Sequence, residues 1–198
     1  MLSFEGTATA LAGWQSLGGG SISVIRETVP VSTALPNALQ LSFSAGEANG
    51  VGFANTGYSG TDYRFSSHTK FSWSNNHSLG IKVTANTQYK ASFYYRFQTG
   101  SEFSGTLHVG LQDDSGTILA MQGVSIAGSQ TTWKQVQVSL NADITAKSTA
   151  NMFTITVNGN SAVGESINFA MLSLFPPTFK DRENGMRVDI AEVCCNNG

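Results

Sequence analysis

The sequence predicts an all-β fold, an antiparallel jelly-roll β-sandwich, on three observations. Apolar residues recur at a spacing of two in one run after another, the signature of half-buried strands. Turn-forming Gly, Asn, Asp and Ser clusters separate the runs, and the 21 glycines with only 12% charged residues suit a domain of many turns. Sustained helical periodicity is absent, except that Gly185 to Glu192 would open a helix if more chain followed.

Taken in order, Leu39, Leu41 and Phe43 form the first clear row, and Tyr89, Ala91, Phe93, Tyr95 and Phe97 the longest. Further rows are Leu107, Val109 and Leu111; Val136, Val138 and Leu140; Phe153, Ile155 and Val157; and Ile167, Phe169 and Met171. Each puts apolar residues on one face and polar ones on the other, as two sheets packed face to face require. Asp113-Asp114-Ser115-Gly116 reads as a hairpin turn, and Val157-Asn158-Gly159-Asn160 as the end of a strand. These signals predict about eight to ten strands in one domain over 1–175. An irregular connector over 176–198 follows, stiffened at its exit by Pro176-Pro177.

Composition removes several functions. A formal net charge of -2 offers no clustered cations for nucleic acid or an anionic membrane. No apolar stretch approaches the roughly 20 residues of a membrane span, and no charged-then-apolar leader opens the chain. With 198 residues the chain is short of the roughly 250 of a (β/α)8 barrel. The adjacent Cys194 and Cys195 pair only in a strained ring and read as a reactive tail. His68, His77 and His108 lack metal-ligand spacing, and no Gly-x-Ser-x-Gly elbow is present. Glu47, Glu102, Asp113, Asp114 and Glu165 fall mostly in predicted loops beside Gly or Ser and read as solvated turn residues.

Strand parity nominates a binding face. Opposite the longest apolar row stand Lys90, Ser92, Tyr94, Arg96 and Gln98; the same parity gives His108 and Gln112, then Gln135, Gln137 and Ser139. If these strands share a sheet, its outer face is a candidate cleft for sugars, whose C–H faces pack on aromatic rings while polar side chains bind the hydroxyls. Tyr94 with Arg96 is the least ordinary pair, an exposed aromatic beside a forked donor. Trp14 and Trp133 read as core or edge packing. Tyr58, Tyr63, Phe65, Phe71 and Trp73 form a second aromatic cluster, beside the sequon Asn76-His77-Ser78.

Several stretches carry a resemblance: Ala34-Leu35-Pro36-Asn37-Ala38-Leu39, Val51-Gly52-Phe53-Ala54-Asn55-Thr56-Gly57-Tyr58, Tyr89-Lys90-Ala91-Ser92-Phe93-Tyr94-Tyr95, Ser129-Gln130-Thr131-Thr132-Trp133-Lys134-Gln135-Val136, Asn151-Met152-Phe153-Thr154-Ile155-Thr156-Val157 and the run from Leu174 to Glu192. Together they resemble the amino-terminal, carbohydrate-binding-module-like sandwich of fungal α-L-arabinofuranosidases of glycoside hydrolase family 51, and the connector leading into their catalytic barrel. The resemblance implies a galactose-binding-like jelly roll and a secreted, extracellular protein. Residues 61–79 read against it as an insertion. The family's two catalytic glutamates lie on barrel strands that have no counterpart here, so the implied function is non-catalytic, lectin-like carbohydrate binding of plant or fungal wall glycans. The candidate contacts are Tyr94, Arg96, His108, Gln112, Gln135, Gln137, Tyr58 and Trp73. No cofactor is implied beyond a structural calcium, for which Glu5 and Asp189 are the candidate ligands, as many modules of this fold carry one. The rival reading is a structural domain that self-associates into a homo-oligomer through the patch its relatives pack against the barrel.

Overall fold

A computed structural model describes residues 11, 13–43, 46–47, 50–57, 81–98, 101–143, 150–161 and 164–178. Among them are eleven β-strands and no α-helix. Sheet one has the order β1 (Trp14–Leu17), β5 (Val51–Asn55), β10 (Met152–Ser161), β7 (Ser104–Gln112), β8 (Ile118–Ala127), with the short β4 (Gly46–Glu47) also paired to β10. Sheet two has the order β2 (Ser21–Arg26), β3 (Asn37–Phe43), β11 (Glu165–Phe175), β6 (Thr87–Phe97), β9 (Lys134–Ala142). Every pairing among these strands is antiparallel. The count exceeds the expected eight to ten because β1, β2 and β4 are short or only half-buried, leaving weak apolar rows in the sequence.

The core lies between the sheets and is built from the rows that alternation picks out. Tyr89, Ala91, Phe93, Tyr95 and Phe97 of β6 are all buried, as are Leu107, Val109 and Leu111 of β7 and Phe153, Ile155 and Val157 of β10. Aromatic rings join the sheets: Phe53 of sheet one meets Phe169 of sheet two edge-on at 5.0 Å, and Phe169 lies 5.9 Å from Phe93. Each such side chain contributes roughly 1.5–3 kcal/mol by leaving water. Trp14 is edge packing, its ring 5.6 Å from Phe53 and inclined to it at 61°.

Turn chemistry holds at one expected place and fails at the other. Asp113 Oδ1 accepts from the Ser115 hydroxyl at 2.6 Å, the Thr117 amide at 2.8 Å and the Ser115 amide at 3.0 Å, closing the β7–β8 hairpin with Gly116 at φ +84°. The Ser115 hydroxyl leads the bonds that hold the Asp113 carboxyl below its usual range, against the opposing effect of desolvation. Asn158-Gly159 is no turn: it continues β10, where Gly159 pairs with Gly105. A Cβ on Gly159 would meet the Ser104 carbonyl at 2.3 Å, so this glycine serves a close backbone approach inside a sheet.

Two further expectations are corrected and a third is narrowed. Met171 does not extend the Ile167–Phe169 row, because a bulge between Ala170 and Ser173 sets two residues opposite Phe93 and gives the buried position to Leu172. Met171 takes φ +52°, a conformation that a side chain adopts at a cost of about 1–2 kcal/mol. Asp113 and Glu165 are buried, not solvated; Glu165 Oε1 accepts from the Glu102 amide at 3.1 Å. The third is Trp133, which stands outside the core on the outer side of sheet two, just before the edge strand β9, so that of core and edge packing it takes the edge.

Candidate functional site

The outer face of sheet two follows from its register. Arg96 stands opposite Asn168, which stands opposite Gln40. One row along, Tyr94 lies between Gln135 of β9 and Ala170 of β11. The next row sets Ser92 between Gln137 and Ser173, and the last sets Lys90 between Ser139 and Phe175. Burial alternates along β6 as parity requires, with Tyr94 half-buried and Lys90 exposed.

A buried polar network organises the Arg96 end. Glu27, just past β2, is 7% exposed. Its Oε1 accepts from Asn168 Nδ2 at 2.7 Å and its Oε2 pairs with the Arg96 guanidinium. Asn168 Oδ1 in turn accepts from Gln40 Nε2 at 3.1 Å. Charge on Glu27 is acceptable there because both its oxygens are bonded and one faces a cation.

The connection over 27–36 spans this face. It is closed at its base by the Glu27 amide donating to the Pro36 carbonyl at 2.9 Å. Further along, the Val29 carbonyl accepts from Trp133 Nε1 at 2.8 Å. Since β2 and β9 are opposite edges of the sheet, a contact from one to the residue preceding the other carries the connection across the outer surface. Trp133 also lies under the Arg96 guanidinium, 5.1 Å from carbon to ring centre. It therefore belongs with Gln135 and Gln137, whose parity it shares, and not with the core.

Of the sequence-nominated residues, Tyr94, Arg96, Gln135 and Gln137 share this face. His108 and Gln112 do not: both sit on β7 of sheet one, pointing away from the core on the opposite side of the sandwich. The reason is topological, since parity fixes the face of a strand but not the sheet that it joins. Gln112 Nε2 contacts Met152 Sδ at 3.5 Å there. Tyr58, Trp73, Glu5 and Asp189 lie outside the described residues, as do the 61–79 stretch, the sequon and both cysteines. Glu27, Gln40, Asn168 and Trp133 were missed. Trp133 was available from parity, whereas Glu27 reaches its partners across three strands and left no local signal. Among the described residues no cluster of three or more His, Cys, Asp or Glu could hold a metal, and no helix is long and apolar enough to cross a membrane.

No protein-family model matches the chain. It is 32% identical over 164 residues to the probable α-L-arabinofuranosidase A of Emericella nidulans, covering 82% of this chain and 24% of that protein. To the probable α-L-arabinofuranosidase A of Aspergillus terreus it is 29% identical over 190 residues, covering 96% and 26%. It superposes on an arabinose-bound family 51 α-L-arabinofuranosidase with a TM-score of 0.79 at 43% identity, over 94% of this chain and 26% of the other. A xylan-binding domain from Paenibacillus barcinonensis shares the fold at a TM-score of 0.51 and 15% identity, over 87% and 89% of the two chains. The chain thus spans about a quarter of the length of the arabinofuranosidases it matches.

Proposed function

This chain is a relative of the amino-terminal β-sandwich of glycoside hydrolase family 51 α-L-arabinofuranosidases, and from that premise we propose that it is a carbohydrate-binding domain without catalytic chemistry of its own. The observation that carries the reading is the Tyr94 row: a half-buried aromatic ring on the outer face of a sheet, with exposed Gln135 beside it and exposed Gln137 one row on. An aromatic ring offers a surface to sugar C–H groups, and the two amides offer both donors and acceptors to hydroxyls. The likeness of the fold to a xylan-binding domain agrees with this reading.

The ligand is a neutral wall glycan, with arabinose-containing polysaccharide the first class to try. Arg96 is neutralised by Glu27 and covered by Trp133, so its role is to hold the face and the 27–36 connection in place. Lys90 alone adds an unpaired cation to the rows described, too little for selection of an acidic polymer. Encounter with such a polymer takes place outside the cell.

A glycan array on the purified chain, followed by titration calorimetry on the best ligand, tests the proposal. Wild type should bind at least one neutral glycan, and Tyr94→Ala should weaken that binding about tenfold, from the loss of one aromatic contact worth about 1–2 kcal/mol. An array with no ligand rejects carbohydrate binding. A ligand held equally by Tyr94→Ala rejects this face.

A further inference from the structure

Three buried side-chain polar atoms have no hydrogen-bond partner among the described residues: Arg96 Nε, Asp113 Oδ2 and Asn151 Oδ1. Two of them are oxygens, and they belong to neighbours. β7 and β10 run antiparallel with Gln112 opposite Met152, so Asp113 and Asn151 occupy the next position at the same end of sheet one. Gln112 and Met152 face outward, which by alternation turns Asp113 and Asn151 inward; they are 0% and 2% exposed. Directly opposed side chains of an antiparallel pair have Cβ atoms about 4.5–5.5 Å apart. One residue past the last pair of this ladder, the two side chains turn to the same face at the same end of the sheet, so the geometry brings two donorless acceptor oxygens toward one another.

The remaining atoms of both side chains are engaged, which fixes their orientation. Asp113 Oδ1 takes three bonds from the hairpin. Asn151 Nδ2 donates to the Ile81 carbonyl at 2.9 Å, and turning the amide over would press oxygen against that carbonyl. Among the described residues no Lys or Arg pairs with Asp113, the ion pair found there being that of Arg96 with Glu27. A buried water could donate to both oxygens but would leave the carboxylate charge unbalanced.

We propose that Asp113 Oδ2 and Asn151 Oδ1 are two ligands of a hard, calcium-class cation seated at this end of the sandwich, its shell completed by backbone carbonyls and water. Carboxylate and amide oxygens are the donors that calcium selects, and transition metals prefer nitrogen or sulfur. With one carboxylate the site is weak, half-saturated on the order of 10⁻⁴–10⁻³ M. It is distinct from Glu5 and Asp189.

The test is thermal unfolding of the full chain, stripped with chelator and titrated with calcium chloride. At about ten times the half-saturating concentration the Tm should rise by about 3–5 °C. Asp113→Asn keeps an Oδ1 acceptor for the hairpin but removes the charge, and should abolish the rise. Asn151→Asp adds a second carboxylate and should lower the half-saturating calcium about tenfold. A wild-type Tm equal in chelator and in 10 mM calcium chloride means a water-only site and overturns the proposal. So does Asp113→Asn titrating like wild type, which would put the cation elsewhere. Should that variant not fold, Asn151→Asp titrating like wild type overturns it equally.

Discussion

Arg96 leaves the outer face of β6 two residues from Tyr94, and its guanidinium ends against the Glu27 carboxylate with the Trp133 ring 5.1 Å away. Removing it by Arg96→Met strands a carboxylate that is 3% exposed, with Asn168 as its remaining partner. Full burial of such an orphan costs about 3–5 kcal/mol; with the arginine side chain 22% exposed, about 2–3 kcal/mol of lost stability is expected in urea unfolding. Adding Glu27→Leu to that variant should recover part of the loss, because the stranded charge goes with it. Tyr94→Ala should leave stability within about 1 kcal/mol, whereas Phe93→Ala, one residue away and fully buried, should cost about 3–5 kcal/mol. Equal costs would mean that parity on β6 is misread. That parity was legible in the sequence because it is local. Glu27 was not, because a charge beside Thr28 and Val29 looks like any turn residue until Asn168, 141 positions later, is brought to it.

Among the elements, β10 shows how tertiary pairing overrides a local preference. Asn158-Gly159 favours a turn on its own, yet Gly159 pairs with Gly105, and the nearer consequence is space rather than backbone freedom. Gly159→Ala places Cβ 2.3 Å from the Ser104 carbonyl and 2.7 Å from the Phe103 ring, so the sheet must open locally, at about 2–3 kcal/mol by denaturant midpoint. Gly116→Ala is the control: it meets nothing within 4 Å and should cost about 1–2 kcal/mol for its φ of +84° alone. A larger loss at Gly116 than at Gly159 would reverse this account of β10. Met171 departs from its expected core position because the spacing of two runs through Phe169 without a break, and a bulge, which inserts one residue, leaves no mark in apolar spacing.

At the scale of the molecule, two sheets enclose one aromatic core and leave two outer faces, and what each face can do depends on which strands it collects. The apolar rows fixed the layers, while strand order, which separates His108 from Tyr94, came only with the pairing. The chemistry of the Tyr94 face can be stated from its contents. Glycoside hydrolysis takes two carboxyl groups flanking the bond, about 5–5.5 Å apart for retention or about 6.5–9.5 Å for inversion. Among the described residues of that face Glu27 is the carboxylate near at hand, and Asn168 and Arg96 already hold both its oxygens. A carboxylate so bound is a poor general acid, since its proton would displace an ion pair, and a poor nucleophile, since its lone pairs are engaged. Incubation with an aryl α-L-arabinofuranoside should accordingly release no phenol above buffer, even where the array shows glycan binding. Release that follows the chain through purification and disappears with Glu27→Gln would place the chemistry on this face and overturn the non-catalytic reading. Release that survives Glu27→Gln but falls with another carboxylate of the chain would overturn it too, and move the site off sheet two.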